Sequence, residues 1–135
     1  MSETLELKAL VENFTKLLDW WHNVASSWNL ASESINKIDI CLEEIFVNVA
    51  SYAYSDEPGM VSIFAEKSDS EISIKFEDAG IEYNPLQKED PDITLSFEER
   101  PVGGLGIFMV KELSKSIEYE RIDSKNVLTL KFKIE

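Results

Sequence analysis

The stretch Met60–Asp78, MVSIFAEKSDSEISIKFED, decides the fold class. Its two halves, MVSIFAE and EISIKFED, alternate apolar and polar residues, and KSDS between them is a polar reversal. A period of two sends successive side chains to opposite faces, so each half reads as a strand with one buried and one wetted face. The C-terminal stretch repeats the pattern. SIEYERI and VLTLKFKI are joined by DSKN, and in the last run Leu128, Leu130, Phe132 and Ile134 alternate with Thr129, Lys131 and Lys133.

Ahead of Pro58 the period is that of a helix. From Leu5 to about Trp28, apolar residues recur as Leu7, Leu10, Val11, Phe14, Leu17, Leu18 and Trp21, with room for a short strand before them. Trp20, Trp21 and Trp28 read as core or interface aromatics. The stretch NLASESINKIDICLEEIFVNVASYAY, from Asn29 to Tyr54, predicts a second helix ended by SDEPG. Ser32 or Ser34 would be its N-cap, and Ile38, Cys41, Leu42, Ile45, Val49 and Tyr52 its buried stripe. A third, shorter helix is expected in LGIFMVKELSK. The expected architecture is α+β: a two-layer α/β sandwich in one domain over residues 1–135, with helices on one face of a mostly antiparallel mixed sheet.

Composition narrows the function. The chain has 135 residues, a formal net charge of −13 and 44% hydrophobic content. That charge repels nucleic acid and anionic membranes, so proteins or small molecules are the expected partners. Cys41 is a single cysteine and allows no internal disulfide, and no N-terminal run is apolar enough for a signal peptide or membrane span. A cytoplasmic setting is expected. His22 stands without a Cys or a second His for a zinc site and reads as an ordinary helix histidine.

Three clusters carry chemistry. In RPVGGLGIFMV, Arg100–Val110, three of the chain's five glycines precede a helix. The backbone of Gly103, Gly104, Leu105 and Gly106 would direct N–H groups and a helix N-terminus at one anion, as a phosphate cradle does. It lacks the Lys-Ser/Thr pair of a P-loop and the G-x-G-x-x-G spacing of a dinucleotide fold. In the second helix Glu44 and Asn48 share a face; a carboxylate accepts a proton from a hydroxyl, and an Asn carbonyl is a hard ligand for Mg²⁺. In FEDAGIEYNP, Asp78 would accept a hydrogen bond from an exocyclic amine, and Gly80 would let a flat base approach the backbone. Read singly, each cluster has a purely structural alternative: a turn, a solvated helix face, a strand exit.

In this order, EEIFVNVASYAY, EDAGIEYNP and VGGLGIFMV resemble the ATP-binding signature of the GHKL superfamily of gyrase, heat-shock chaperone, histidine-kinase and mismatch-repair ATPases. Within it, the chain over essentially its whole length most resembles bacterial anti-sigma factors that are serine/threonine protein kinases. The resemblance implies a histidine kinase-like ATPase fold using ATP and Mg²⁺, with Glu44 as catalytic base and Asn48 as metal ligand. It implies that Asp78 and Gly80 hold adenine, that Gly104 and Gly106 hold phosphate, and that a lid runs from about Leu86 to Val102, with Arg100 the nearest candidate for a phosphate contact. It also implies a homodimer that binds a sigma factor and an anti-sigma antagonist, the latter phosphorylated on serine.

Tyr52 stands where many relatives have His, and a phenol does not exchange its proton reversibly near neutral pH. Glu43 lies about 100° around the helix from Glu44, which leaves Glu44 as the expected base. The expected activity is transfer of a phosphoryl group to a protein serine or threonine; a nucleotide-responsive binding module with weak catalysis is the alternative. A histidine kinase is disfavoured, because no segment carries a phosphoacceptor histidine.

Overall fold

The computed structural model describes residues 1–54, 57–87 and 104–134, with backbone alone at Gly104 and Leu105. Five strands form one sheet: β1 (Ser2–Lys8), β2 (Met60–Lys67), β3 (Glu71–Asp78), β4 (Ser116–Ile122) and β5 (Lys125–Lys133). Their order is β1-β2-β3-β5-β4. All four pairings are antiparallel, so the described sheet has no parallel pair to make it mixed. The reason is local: β2–β3 and β4–β5 are hairpins, and β5 returns against β3 with Phe76 opposite Leu128. One face carries Val61, Ile63, Ile72, Ile74, Phe76, Leu128, Leu130 and Phe132, all buried under the helices α1 (Phe14–Ser27), α2 (Ser32–Asn48) and α3 (Gly104–Leu113). The two-layer α+β reading holds.

The first helix starts later than its apolar spacing suggests. Leu5 and Leu7 sit in β1, opposite Ile63 and Val61 of β2, and Val11 is exposed in a 3-10 turn, Val11–Asn13. Alternation of Leu5 and Leu7 satisfies a strand as well as a helix, and seven residues of ladder against β2 decide it. At its other end α1 closes with Asn29 in the left-handed region (φ 56). Leu30 N–H then reaches Ala25 O at 3.1 Å and Asn29 N–H reaches Ser26 O at 3.1 Å, which satisfies two terminal carbonyls. Trp21 and Trp28 meet edge to face in the core, their centroids 6.4 Å apart.

At α2 the N-cap is Ala31, with no side-chain cap bond, so neither Ser32 nor Ser34 has the expected role. The C-terminal end departs further. Beyond Asn48 the chain makes a π turn, Val49–Ala53, whose wider spacing rotates the next side chains. Ala53 is buried as a result, and Tyr52, expected in the buried stripe, is 43% exposed. Cys41 is buried, which pushes its thiol up to about 12 and removes it as a nucleophile at neutral pH. His22 pairs on the surface with Asp39 at 2.9 Å, joining α1 to α2. No described helix is long and apolar enough to cross a membrane.

The π turn also receives the loop after β3. Ile81 N–H donates to Ala53 O at 2.8 Å, and a Cβ at Gly80 would overlap that same carbonyl. Gly80 is therefore required by backbone-to-backbone packing, a different reason from the approach of a base. Gly80→Ala should destabilise the protein by about 1–3 kcal/mol, because the obstacle is main chain and cannot rotate away. Urea denaturation would measure this, and an unchanged midpoint would contradict the packing.

Candidate functional site

Four core-facing residues of β3, Ile72, Ile74, Phe76 and Asp78, follow each other at intervals of two, and the last is a carboxylate buried to 5% exposure. In β5 the same phase reads Asn126, Leu128, Leu130 and Phe132, and its first member is an amide buried equally, to 5%. Asp78 and Asn126 are register partners, so the two polar residues meet at one end of the apolar face. A two-residue reversal joins β4 to β5. Asp123 (φ 49) and Ser124 (φ 64) form it, so β5 begins at Lys125 and Asn126 belongs to the strand rather than to a DSKN turn.

Asp78 Oδ1 accepts two hydrogen bonds, from Asn126 Nδ2 at 2.9 Å and from Gly80 N–H at 3.0 Å. Burial pushes its carboxyl above the usual range; those two bonds and the nearby Arg121 guanidinium pull the other way without cancelling the shift. Arg121 donates to Gly80 O at 2.9 Å, Tyr83 N–H donates to Asn126 Oδ1 at 3.1 Å, and Tyr119 donates its hydroxyl to the same oxygen. Tyr54 braces the loop from the other side: its hydroxyl donates to Met60 O at 2.7 Å and accepts from Ala79 N–H at 3.1 Å. Tyr52 stacks on Tyr83 at 5.1 Å.

Asn48 ends α2 beside this network. Sequence spacing put it beside the apolar stripe on a polar face; it is instead 7% exposed, and its Nδ2 is buried without a hydrogen-bond partner among the described residues. Asn48, Asp78, Asn126, Tyr83 and Tyr119 line one pocket, with Ile45, Phe76 and Leu128 as its apolar wall. Glu44, one turn earlier, does not line it. Half-buried, it opens with Glu43 and Asp39 onto a neighbouring cleft walled by Phe14, Leu18, Ile40 and Met109. Gly106 of α3 lies directly against the Glu44 carboxylate, and a Cβ there would overlap Oε1. The carboxylate thus sits in the first turns of α3, where the helix dipole favours negative charge.

The predicted residues accordingly fall into two adjoining groups, Asn48 with Asp78 and Gly80, and Glu44 with Gly106. Gly104 opens α3, while Arg100, Gly103 and most of the expected lid lie outside the described residues, as does the side chain of Leu105. Asn126, Tyr119, Tyr83, Arg121 and Tyr54 were not anticipated. A signal for Asn126 was present: it continues the alternation of Leu128, Leu130 and Phe132 one step back.

With this geometry in view, residues 7–132 match the family described as the histidine kinase-like ATPase domain. The chain belongs to that family. It is similar to the serine/threonine-protein kinase BtrW of Bordetella bronchiseptica, at 25% identity over 130 residues, covering 96% of this chain and 92% of that protein. It is also similar to the serine-protein kinases RsbW of Bacillus thuringiensis and Bacillus cereus, at 26% identity over 113 residues, covering 81% of this chain and 71% of each of them.

For a histidine kinase-like ATPase domain the donor set has a definite chemistry. Among the described residues no group of three or more His, Cys, Asp or Glu forms a metal cage. Asn48 offers a single amide to the pocket; its Nδ2, unpartnered among the described residues, is a donor and no metal ligand, so a contact to Mg²⁺, which takes few protein ligands beside waters and phosphate oxygens, would fall to Oδ1.

Asp78 also makes a prediction about stability. Because its folded pKa is raised, the unfolded chain gives up this proton first as pH rises, and stability declines from the usual carboxylate range up through the raised value. Above that value the cost is fully present. Asp78→Asn keeps an oxygen for Asn126 and Gly80 while removing the buried charge, so the nucleotide-free variant should be at least as stable as the parent at pH 7. Its advantage should shrink as pH is lowered toward the carboxylate range. Denaturation at several pH values checks this, and a lower midpoint at pH 7 would show that the charge contributes to folding.

Proposed function

We propose that this chain is an ATP- and Mg²⁺-dependent protein serine/threonine kinase, acting as an anti-sigma regulatory factor that phosphorylates an antagonist protein. The reading includes a cytoplasmic homodimer that binds a sigma factor through protein surfaces, without contact to nucleic acid or membrane. What supports it most is the order of groups along α2: Asn48 shares a pocket with Asp78 of β3, and one turn back Glu44 lies against the first turns of α3. The names of the similar proteins support its protein-kinase part.

In this mechanism Asp78 accepts the exocyclic amine of adenine, and the apolar wall of Phe76 and Leu128 covers the base. The backbone of residues 103–106 holds phosphate oxygens at the start of α3. Asn48 contributes one oxygen ligand to Mg²⁺, which when bound offsets charge on the phosphates. Glu44 orients the serine or threonine hydroxyl of the partner and takes its proton as the oxygen bonds to the γ-phosphorus and ADP leaves. The cleft walled by Phe14, Ile40 and Met109 gives the hydroxyl its approach to Glu44.

One observation favours a second reading, a nucleotide-responsive binding module with weak catalysis. Tyr52 is exposed and engaged in a stack with Tyr83, so no exchangeable imidazole stands there. The two readings differ in one measurement: transfer of labelled phosphate from ATP to an antagonist-like protein encoded beside this one.

Glu44→Gln should lower that transfer by about 10²–10⁴-fold while sparing nucleotide binding, since it removes the base and keeps the shape. Glu43→Gln, at an exposed position, should do far less. Inactivity of the Glu43 variant alone would move the base by one residue.

Asn48→Ala should weaken Mg²⁺-ATP binding much more than binding of ATP in EDTA, because the amide meets the ion and not the base. Calorimetry under both conditions decides it; equal losses would point to a direct nucleotide contact or a folding defect.

A further inference from the structure

Asn126 uses its whole hydrogen-bonding capacity. Nδ2 donates to Asp78 Oδ1 at 2.9 Å and to Ile81 O at 2.7 Å; Oδ1 accepts from Tyr83 N–H at 3.1 Å and from the Tyr119 hydroxyl. The partners also fix which end of the amide is which. Ile81 O can only accept and Tyr83 N–H can only donate, so the nitrogen must face Ile81 and Asp78 and the oxygen must face Tyr83. Asp78 Oδ1 therefore always meets N–H groups, from Asn126 and from Gly80, and Oδ2 is the oxygen left for a ligand in the pocket that Asp78 lines.

We propose that Asn126 is the positioning residue for nucleotide recognition: its amide holds the Asp78 carboxylate in the single orientation and acceptor role that an adenine amine requires. This rests on the reading of Asp78 as the adenine contact. The same amide ties Ile81 and Tyr83 to β5, so the loop that frames the base is set by the side chain that orients the carboxylate. Without the Nδ2 donor, Asp78 would be free to rotate and easier to protonate, and a protonated carboxyl presents a donor where the amine needs an acceptor.

Among the described residues the ionisable groups that act on Asp78 are Arg121 and Tyr119 on β4 and Tyr54 after the π turn; in the loop, Tyr83 lines the same pocket and Glu82 acts on Tyr119. Burial raises the Tyr54 and Tyr119 phenols above their ordinary range, so neither titrates where a carboxylate does. Glu82 is a second carboxylate in these surroundings, so the Asp78→Asn variant, which removes the Asp78 carboxyl alone, assigns the acid limb.

The test is calorimetric titration of ATP and GTP, from about pH 4.5 to 8, into the full-length parent, Asn126→Ala, Asn126→Asp and Asp78→Asn, each first checked for a cooperative thermal transition. Asn126→Ala should weaken ATP about tenfold with little change for GTP, and the acid limb should move to higher pH. Asn126→Asp keeps the shape but opposes an acceptor to Asp78 Oδ1 and Ile81 O. Its ATP binding should be poorest at neutral pH and recover toward acid, as the two carboxylates share a proton, the reverse of the parent's slope. If Asp78→Asn abolishes the preference for ATP while both Asn126 variants keep the parent's preference and acid limb, Asn126 is not the positioning residue. Equal losses for ATP and GTP with an unmoved limb would reduce it to a structural residue. If Asp78→Asn itself leaves the preference intact, the adenine assignment fails and takes this inference with it. Should Asn126→Ala not fold, the isosteric Asn126→Asp decides alone by the sign of its pH dependence.

Discussion

The apolar face of the sheet has to be covered. Side chains such as Ile63, Ile74, Phe76 and Leu130 each cost about 1.5–3 kcal/mol when returned to water, and α2 lays Ile38, Leu42, Ile45 and Phe46 over the same core. Among the described residues, buried polar side chains enter this layer only at one end, where the stripes of β3, β5 and α2 finish in Asp78, Asn126 and Asn48. A buried polar group is tolerable when it is hydrogen-bonded, and Asp78 and Asn126 satisfy each other; Asn48 Nδ2 has no partner among the described residues. The same packing that stabilises the middle of the domain thus holds three costly groups at its edge, and those groups define the pocket.

The geometry of that edge follows from the end of α2. An α-helix continued past Asn48 would carry Tyr52 toward the core; the π turn buries Ala53 instead and leaves its carbonyl to receive Ile81 N–H. Gly80 must then lack a side chain, and the loop leaving β3 is held close enough for its N–H to reach Asp78. One irregular turn connects the helix bearing Glu44 and Asn48 to the strand bearing Asp78. Substitutions in the turn should consequently be felt at the carboxylate, which they never touch.

Strand positions were legible because period two is unambiguous over seven or eight residues, and the helical layer because one-sided strands require one. Boundaries were less so. Leu5 and Leu7 satisfy both periods, and only the ladder against β2 separates them. Glu44, Asn48 and Asp78 were legible as polar residues at candidate positions, but the burial of Asn48 was not, since the amide lies beyond the apolar stripe that predicts burial. Asn126 was hidden by its turn-like neighbours, although its phase matches Leu128, Leu130 and Phe132. Glycines carried a mixed message. Gly106 does lie where a helix begins, yet its immediate neighbour is the Glu44 carboxylate, and Gly80 answers to Ala53.

A chain with a net charge of −13 meets a polyanion at a disadvantage that is long-ranged but screened beyond about 8 Å at physiological ionic strength. Discrimination inside the pocket is set by contacts shorter than that. A base edge is neutral, so a buried carboxylate can accept its amine without opposing the phosphates from close by, and the apolar wall of Ile45, Phe76 and Leu128 suits a flat ring. Phosphate charge is best met at the other end, by backbone N–H groups at the start of α3, which need no cationic side chain. Arg121 is already directed to Gly80 O and acts on the loop. On the proposed reading, the acidic surface and the nucleotide are compatible because the neutral end of the ligand is given the buried charge, and the charged end is given dipoles.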